Sequence, residues 1–209
     1  LLDGKNIALV SDAGCPGISD PGEDLVRLAV ENGIPLTIVP GPTAVISGLV
    51  LSGLPSGRFS FEGFLPMNRR ARNNRLEAIK GDTRTLVFYE APHKLIYTLR
   101  DLREVLGNRR ITIARELTKK FEEVIRFTLD DAIMKYQNES PKGEFVLIIE
   151  GADEKRIEEE RISKWQEISL EEHVGMYMEE GLSKKEAMKR VAEDRGLSKR
   201  DVYNSLLRK

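Results

Sequence analysis

Between residues 11 and 22 the chain reads Ser-Asp-Ala-Gly-Cys-Pro-Gly-Ile-Ser-Asp-Pro-Gly, which puts three glycines, two prolines and two aspartates into twelve residues. The run before it, Asn6–Val10, is apolar enough for a short buried strand, and Glu23–Val30 after it is broadly helical, with apolar residues at 25, 26, 28, 29 and 30. A long strand-to-helix loop is where open α/β sheets hold small ligands. Glycine lets a backbone approach a ligand closely or take positive φ, and proline stiffens the loop. Shape alone would use the same residues, and for Asp12 a loop-capping turn is the alternative to ligand contact. A second such place is Val39-Pro-Gly-Pro-Thr-Ala44, where Thr43 and Ala44 open a helix whose first amides are free to meet a ligand, or to be capped by Thr43 itself. Charged residues close two further strands, in Phe88-Tyr89-Glu90 and in Ala114-Arg115-Glu116-Leu117.

The elements that must position these residues fall into modules. Residues 1–56 read as strand (6–11), loop, helix (about 21–32), strand (35–39) and helix (42–53), a parallel α/β unit with Gly33 and Pro35 ending the first helix. After the linker-like Leu51–Ser60 the pattern restarts over residues 57–151. Strands are expected at 59–64, 85–89, 110–115, 122–127 and 144–150, with helices at 69–80, 94–106 and 129–137, in a mixed sheet. Residues 152–168 read as a charged linker, helical in part or mobile, and 169–209 as a helical extension with breaks at Gly181 and Gly196. Ser183 with Glu186, and Ser198 with Asp201, have the spacing of capping boxes, and the short capped helices resemble a helix-turn-helix or a small three-helix bundle.

Composition narrows the chemistry. A chain of 209 residues with 40% hydrophobic and 32% charged residues can bury a real core. No apolar run approaches the roughly 20 residues of a membrane span, the Leu1-Leu-Asp-Gly start is not a signal peptide, and one cysteine suits a reducing cytoplasm. With Cys15, His93 and His173 as the only soft ligands a zinc site is not expected, and His93 reads as a capping or packing residue or as a base. Charge is unevenly spread: 2 basic and 6 acidic side chains in 1–56, 18 and 14 in 57–151, 4 and 10 in 152–180, and 9 and 4 in 181–209. The positive blocks are candidates for a polyanion such as nucleic acid, or are solvated surface. Their densest footprints are Arg69, Arg70, Arg72 and Arg75 with Lys80, then Lys119 and Lys120, then Lys184, Lys185, Lys189, Arg190, Lys199 and Arg200.

Seven strings occur in order: ALVSDAGCPGISDPG, VPGPTAV, LSGLP, FEGFLP, FYEAPHKL, ARELTKKFEEV and GEFVLIIEG. Together they closely resemble the ribosomal RNA small subunit methyltransferase I family, which methylates a cytidine 2′-oxygen of 16S ribosomal RNA. That family lies within the tetrapyrrole-methylase superfamily, in which two α/β domains bind S-adenosylmethionine between them. The resemblance implies a two-domain class III methyltransferase fold with a helical C-terminal extension, a homodimer in the cytoplasm, and the small ribosomal subunit as partner. It places Asp12, Ala13, Gly14, Pro16, Thr43, Ala44, Tyr89, Ala114, Leu117 and Phe145 near the cofactor, although Phe88 and Phe145 read as core residues ahead of adenine-stacking platforms. Glu90, Arg115 and Glu116 become catalytic candidates, with Asp12 a further possible base and Lys119 a further cation. The seven basic residues Arg69, Arg70, Arg72, Arg75, Lys119, Lys120 and Lys184, with Lys185, would face RNA. The family's opening Gly-Thr-Pro-Ile-Gly-Asn-Leu turn and Ala-Glu-Asp-Thr-Arg motif are not in the sequence, so the first domain is expected to be truncated by about a third. Alternatives from the residues are a tetrapyrrole C-methylase and a non-catalytic RNA-binding or dimerisation fragment.

Overall fold

The computed structural model describes residues 1–11 and 14–207, which form two compact units, Leu1–Gly151 and Ala152–Lys209. In the first unit, helices α1 (Glu23–Glu31) and α2 (Ala44–Ser52) precede strand β1 (Phe59–Phe64), helix α3 (Arg69–Ile79), β2 (Thr85–Glu90) and α4 (Leu95–Leu106). Strands β3 (Arg110–Arg115) and β4 (Glu123–Thr128), helix α5 (Leu129–Tyr136) and strand β5 (Phe145–Ile149) follow. The five strands make one sheet in the order β1-β2-β5-β3-β4. Only β1 and β2 are parallel, joined by α3 as crossover; the other pairs are antiparallel.

The sheet is covered on both faces, and the alternation of side chains along the strands divides them. Leu86, Phe88, Ile111, Ile113, Phe145, Leu147 and Ile149 face α3, α4 and α5, where Leu95, Leu99, Leu102 and Leu106 form the buried stripe of α4. Val87, Tyr89, Ala114, Val146 and Ile148 face α2. Central strand β5 is buried at every residue, as a continuous Phe-Val-Leu-Ile-Ile run requires.

Helix α2 is pinned at its C-terminal end. Thr112 Oγ1 and Arg126 Nε donate to the Ser52 carbonyl at 3.4 and 3.3 Å, and Arg126 also donates to the Leu51 carbonyl. A guanidinium there satisfies carbonyls that the helix leaves open and complements its dipole. Gly53, at φ 71°, ends the helix in the left-handed conformation.

The two strands expected at 6–11 and 35–39 do not form. Neither segment belongs to a ladder, and their apolar side chains stay in solvent, Val10 at 80% and Val39 at 86% exposure. The parallel α/β unit read from residues 1–56 is therefore corrected to α1, α2 and connecting chain, with α2 packed on the sheet built by 57–151. Apolar, β-branched composition nominates a strand, but a strand exists only when neighbours take up its backbone donors and acceptors, and residues 1–56 do not supply them to each other.

In the second unit, α6 (Glu154–Ser163), α7 (Leu170–Glu179), α8 (Lys184–Asp194) and α9 (Lys199–Leu207) follow one another. Val174, Ala187, Val191, Ala192 and Val202 form its core. The expected capping box at Ser183 holds, Ser183 Oγ accepting from Glu186 N at 3.4 Å and Ser183 N–H donating to Glu186 Oε2 at 3.1 Å, while at Ser198 the side-chain half is present, Oγ accepting from Asp201 N at 3.1 Å. The stretch 152–168 is not a free linker. Arg161 donates to the Glu193 carbonyl at 2.8 Å, and the Trp165 ring stacks on His173 with centroids 3.9 Å apart.

His173 is fully buried between Trp165 and Tyr177. Arg195 Nε donates to its Nδ1 at 3.2 Å, which leaves the proton on Nε2, 3.4 Å from Asp194 Oδ2. Burial holds the imidazole pKa below its ordinary value; Arg195 acts in the same direction and Asp194 against it. The folded unit thus prefers neutral His173, whose contribution is complete above the unfolded pKa of about 6.5 and is lost as pH falls below it. Trp165 is the one tryptophan of the chain, so its fluorescence reports this unit. Its thermal transition is expected to be lower at pH 5 than at pH 8, with the gap narrowed in His173→Phe. An equal gap in that variant would contradict the assignment.

Candidate functional site

The site begins where α2 starts. Thr43 is the N-cap, in extended conformation, and its side chain makes no capping bond. The first intrahelical bond runs from Ser47 N–H to the Thr43 carbonyl, so the amides of Ala44, Val45 and Ile46 lie ahead of the helical ladder. Val45 N–H meets the Tyr89 phenol oxygen. Tyr89 has its pKa raised, first by burial, with Asp20 and Glu144 adding to the shift and the Val45 amide opposing it. Its ring is fixed edge-on to Phe61 at 5.0 Å. Gly14 closes on the same place: it has φ +75°, and a Cβ there would stand 3.0 Å from the Pro42 carbonyl oxygen. Pro16 is half-buried beside it. Asp12 and Ala13 lie outside the described residues.

Register extends the site across the sheet. Tyr89 is opposite Val146 and Val146 opposite Ala114, all on the α2 face, with Leu117 beyond. The result is an apolar wall of Tyr89, Ala114, Leu117 and Val146 beside the amides that open α2. Gly48 lets α2 lie against it, since a Cβ there would be 3.2 Å from both Val146 and Ile148. The sequence reading passed over Gly48 and Val146; a glycine inside an apolar helix was the available signal.

Three assignments from the sequence need correction. Phe145 points to the opposite face, 1% exposed and edge-on to Tyr136, so its side chain is core and does not face the α2 wall. Glu90 is 5% exposed and its carboxylate is committed, Oε1 accepting from Ala91 N at 2.8 Å and Oε2 from Thr98 Oγ1 at 2.5 Å. It ties β2 to α4, with one hydrogen bond to each carboxylate oxygen. Glu116 Oε1 accepts from Glu144 N at 2.9 Å and from Lys119 Nζ at 3.3 Å. The Glu144 amide, then Lys119, hold its pKa below the usual value, which makes it a weak base and a fastener of the turn. Phe88, fully buried, is core.

Arg115 differs. One end pairs with Glu123 at 3.1 Å, while its Nε is buried with no hydrogen-bond partner among the described residues. Among the basic candidates, Arg72 and Arg75 are engaged inside the fold, with Asp101 at 2.9 Å and Glu62 at 2.6 Å. Lys119 bridges Glu116 and Glu144. Arg69, Arg70, Lys120, Lys184 and Lys185 are exposed, as is His93. Lys185 lines a shallow groove between α8 and α9 with Met188, Lys189, Lys199, Arg200 and Tyr203. No cluster of three or more metal-ligating side chains occurs among the described residues.

Comparison with known proteins gives a consistent result. The family model for tetrapyrrole (corrin/porphyrin) methylases matches residues 1–133. The ribosomal RNA small subunit methyltransferase I of Halalkalibacterium halodurans is 48% identical over 204 residues, 98% of this chain and 70% of that protein. The protein of the same name from Bacillus subtilis is 42% identical over 205 residues, again 98% of this chain and 70% of its own length. In fold, the chain is similar to the crystal structure of the methyltransferase CobJ, with a TM-score of 0.52 at 22% identity over 66% of this chain and 62% of that one. The chain belongs to the tetrapyrrole (corrin/porphyrin) methylase family, and within it to the ribosomal RNA small subunit methyltransferases I.

Proposed function

We propose that this chain carries out S-adenosylmethionine-dependent methylation of a cytidine ribose 2′-oxygen in 16S ribosomal RNA, as a cytoplasmic homodimer acting on the small ribosomal subunit. The observation that carries the reading is the 48% identity along 98% of the chain to a small-subunit ribosomal RNA methyltransferase. The site's chemistry suits the cofactor. A phosphate-free ligand with a sulfonium, an amino-acid end and an adenosine calls for backbone donors at close range and apolar walls, and the α2 amides, the Gly14 approach to Pro42 and the Tyr89–Val146–Ala114 wall provide both. When bound, the cofactor supplies a methyl group already activated by its sulfonium.

The chain's own residues have alignment as their main work, since holding two reactants in line removes most of the entropic cost of meeting. Gly14, Pro16, Thr43 and Ala44 receive the cofactor with Ala13, and Tyr89, Ala114 and Leu117 exclude water. Arg115 offers positive charge to a developing alkoxide. With Glu90 and Glu116 tied into the fold, Asp12 is the candidate carboxylate for the hydroxyl proton. Arg69, Arg70, Lys120, Lys184 and Lys185 meet phosphates, giving salt-sensitive binding. A tetrapyrrole C-methylase would have no use for the basic groove between α8 and α9.

Calorimetric titration with S-adenosylhomocysteine tests the cofactor half. The chain is expected to bind it, and Gly14→Val to bind at least about tenfold more weakly, equivalent to 1.4 kcal/mol, because the new side chain meets both a left-handed backbone and the Pro42 carbonyl. The titration is made at a temperature where the variant's thermal melt shows it folded. Absence of binding to the parent chain would overturn the assignment.

A further inference from the structure

The turn joining β3 to β4 has features that methyl transfer does not use. Phe121 stands 66% exposed, with Lys120 Nζ 5.6 Å from the centroid of its ring. Two non-glycine residues of the same turn, Glu116 at φ 48° and Thr118 at φ 65°, are left-handed. Such conformations persist only when surrounding bonds enforce them, and they gather at ligand sites. Here the enforcement is explicit. Glu116 N–H donates to the Glu144 carbonyl at 3.0 Å, and Glu144 N–H returns to Glu116 Oε1 at 2.9 Å. Thr118 N–H donates to Glu122 Oε2 at 2.6 Å, and Lys119 Nζ to Glu144 Oε2 at 2.7 Å. Gly143 must be glycine, because a Cβ would fall 2.5 Å from Glu116 Cγ. The turn is thus braced so as to hold an aromatic ring out in water.

Beside that ring lies a depression of about 300 Å³ lined by Arg115, Glu116, Phe121, Lys142 and Gly143. That is the size of a small-ligand subsite. Lys119 is shared between Glu116 and Glu144, and Arg115 pairs with Glu123. Lys120, over the ring, and Lys142, in the lining, enter no ion pair among the described residues. An aromatic platform ringed by cations is how proteins hold unpaired bases.

We infer that this depression takes one unpaired base of the RNA, stacked on Phe121, with Lys120 and Lys142 on the flanking phosphates. The inference rests on the RNA reading above and adds to it the place where a base is gripped. It makes Phe121 a residue for RNA affinity with no part in holding the cofactor.

The test uses the full chain and two probes, isolated small ribosomal subunits and S-adenosylhomocysteine, with Phe121→Ala, Phe121→Leu and Phe121→Trp. Loss of a stacked base is expected to weaken subunit binding about 5- to 100-fold in the alanine and leucine variants. The tryptophan variant should stay within about twofold of the parent, and all three should bind S-adenosylhomocysteine as the parent does. Leucine keeps apolar bulk without a π-face, so parental affinity in Phe121→Leu would overturn stacking and indicate a packing contact with ribosomal protein. Parental affinity in Phe121→Ala would overturn the subsite while leaving the RNA reading intact. Failure of the parent itself to bind subunits would bring down both, and the cofactor titration would still report on the cleft.

Discussion

Phe88→Ala is expected to destabilise the first unit by about 3–5 kcal/mol, the usual cost of emptying a large buried aromatic site. Phe88 is fully buried, lies opposite Leu147 in the sheet, and belongs to the cluster that joins the sheet to α3, α4 and α5. Domains of this size have about 5–15 kcal/mol in all, so the variant should melt on the order of 10 °C lower, given about 2–4 °C per kcal/mol. The effect bears on function because Tyr89, the next residue, takes the opposite face and meets the start of α2. A thermal melt followed by circular dichroism checks it, with Trp165 fluorescence separating the second unit. A loss below about 1 kcal/mol would contradict the placement of Phe88 in the core.

Gly48→Val should act on stability and cofactor together. Its new side chain would have to displace Val146 and Ile148, each 3.2 Å from the Cβ position, with Leu117 at 3.6 Å. Overpacking of this kind costs about 1–3 kcal/mol. Because the carbonyls at the far end of α2 are held by Thr112 and Arg126, relief comes by tilting the start of the helix off the sheet. That moves Thr43, Ala44 and the Val45 amide away from Tyr89. The expected result is more than tenfold weaker S-adenosylhomocysteine binding at temperatures where the variant remains folded. Gly48→Ala, which adds only the Cβ, should fall between parent and valine. Unchanged affinity in the valine variant would remove α2 from the cofactor site.

Much of the middle of the chain was legible because local and global signals agree there. From β1 to β5 the expected elements coincide with the observed ones to within one or two residues, each bounded by its own turn residues, and Gly107 ends α4 at φ 82° as a helix stop should. Residues 6–11 and 35–39 misled because composition records what a segment would do beside a partner and not whether the partner is there. Residues 152–168 misled for the opposite reason. Their charge density hid Trp165, whose stacking on His173 makes the segment part of the second unit.

At the site, the sequence located the strand ends and helix start but not the direction of each side chain. Phe145 and Val146 are adjacent, and only the ladder with Tyr89 and Ala114 reveals that Val146 is the one facing α2. Glu90 and Glu116 looked like proton acceptors because a carboxylate at a strand end has no partner in a string of letters. Thr98, Ala91, Glu144 and Lys119 supply those partners only once the chain is folded.

The most direct measurement of the central claim is nucleoside mass spectrometry of 16S RNA after small ribosomal subunits lacking the modification are incubated with this chain and S-adenosylmethionine carrying a labelled methyl group. The account predicts label in 2′-O-methylcytidine and nowhere else, reduced in Gly14→Val. Label on a base, or a chain that binds S-adenosylhomocysteine yet transfers no methyl group to the subunit, would contradict it.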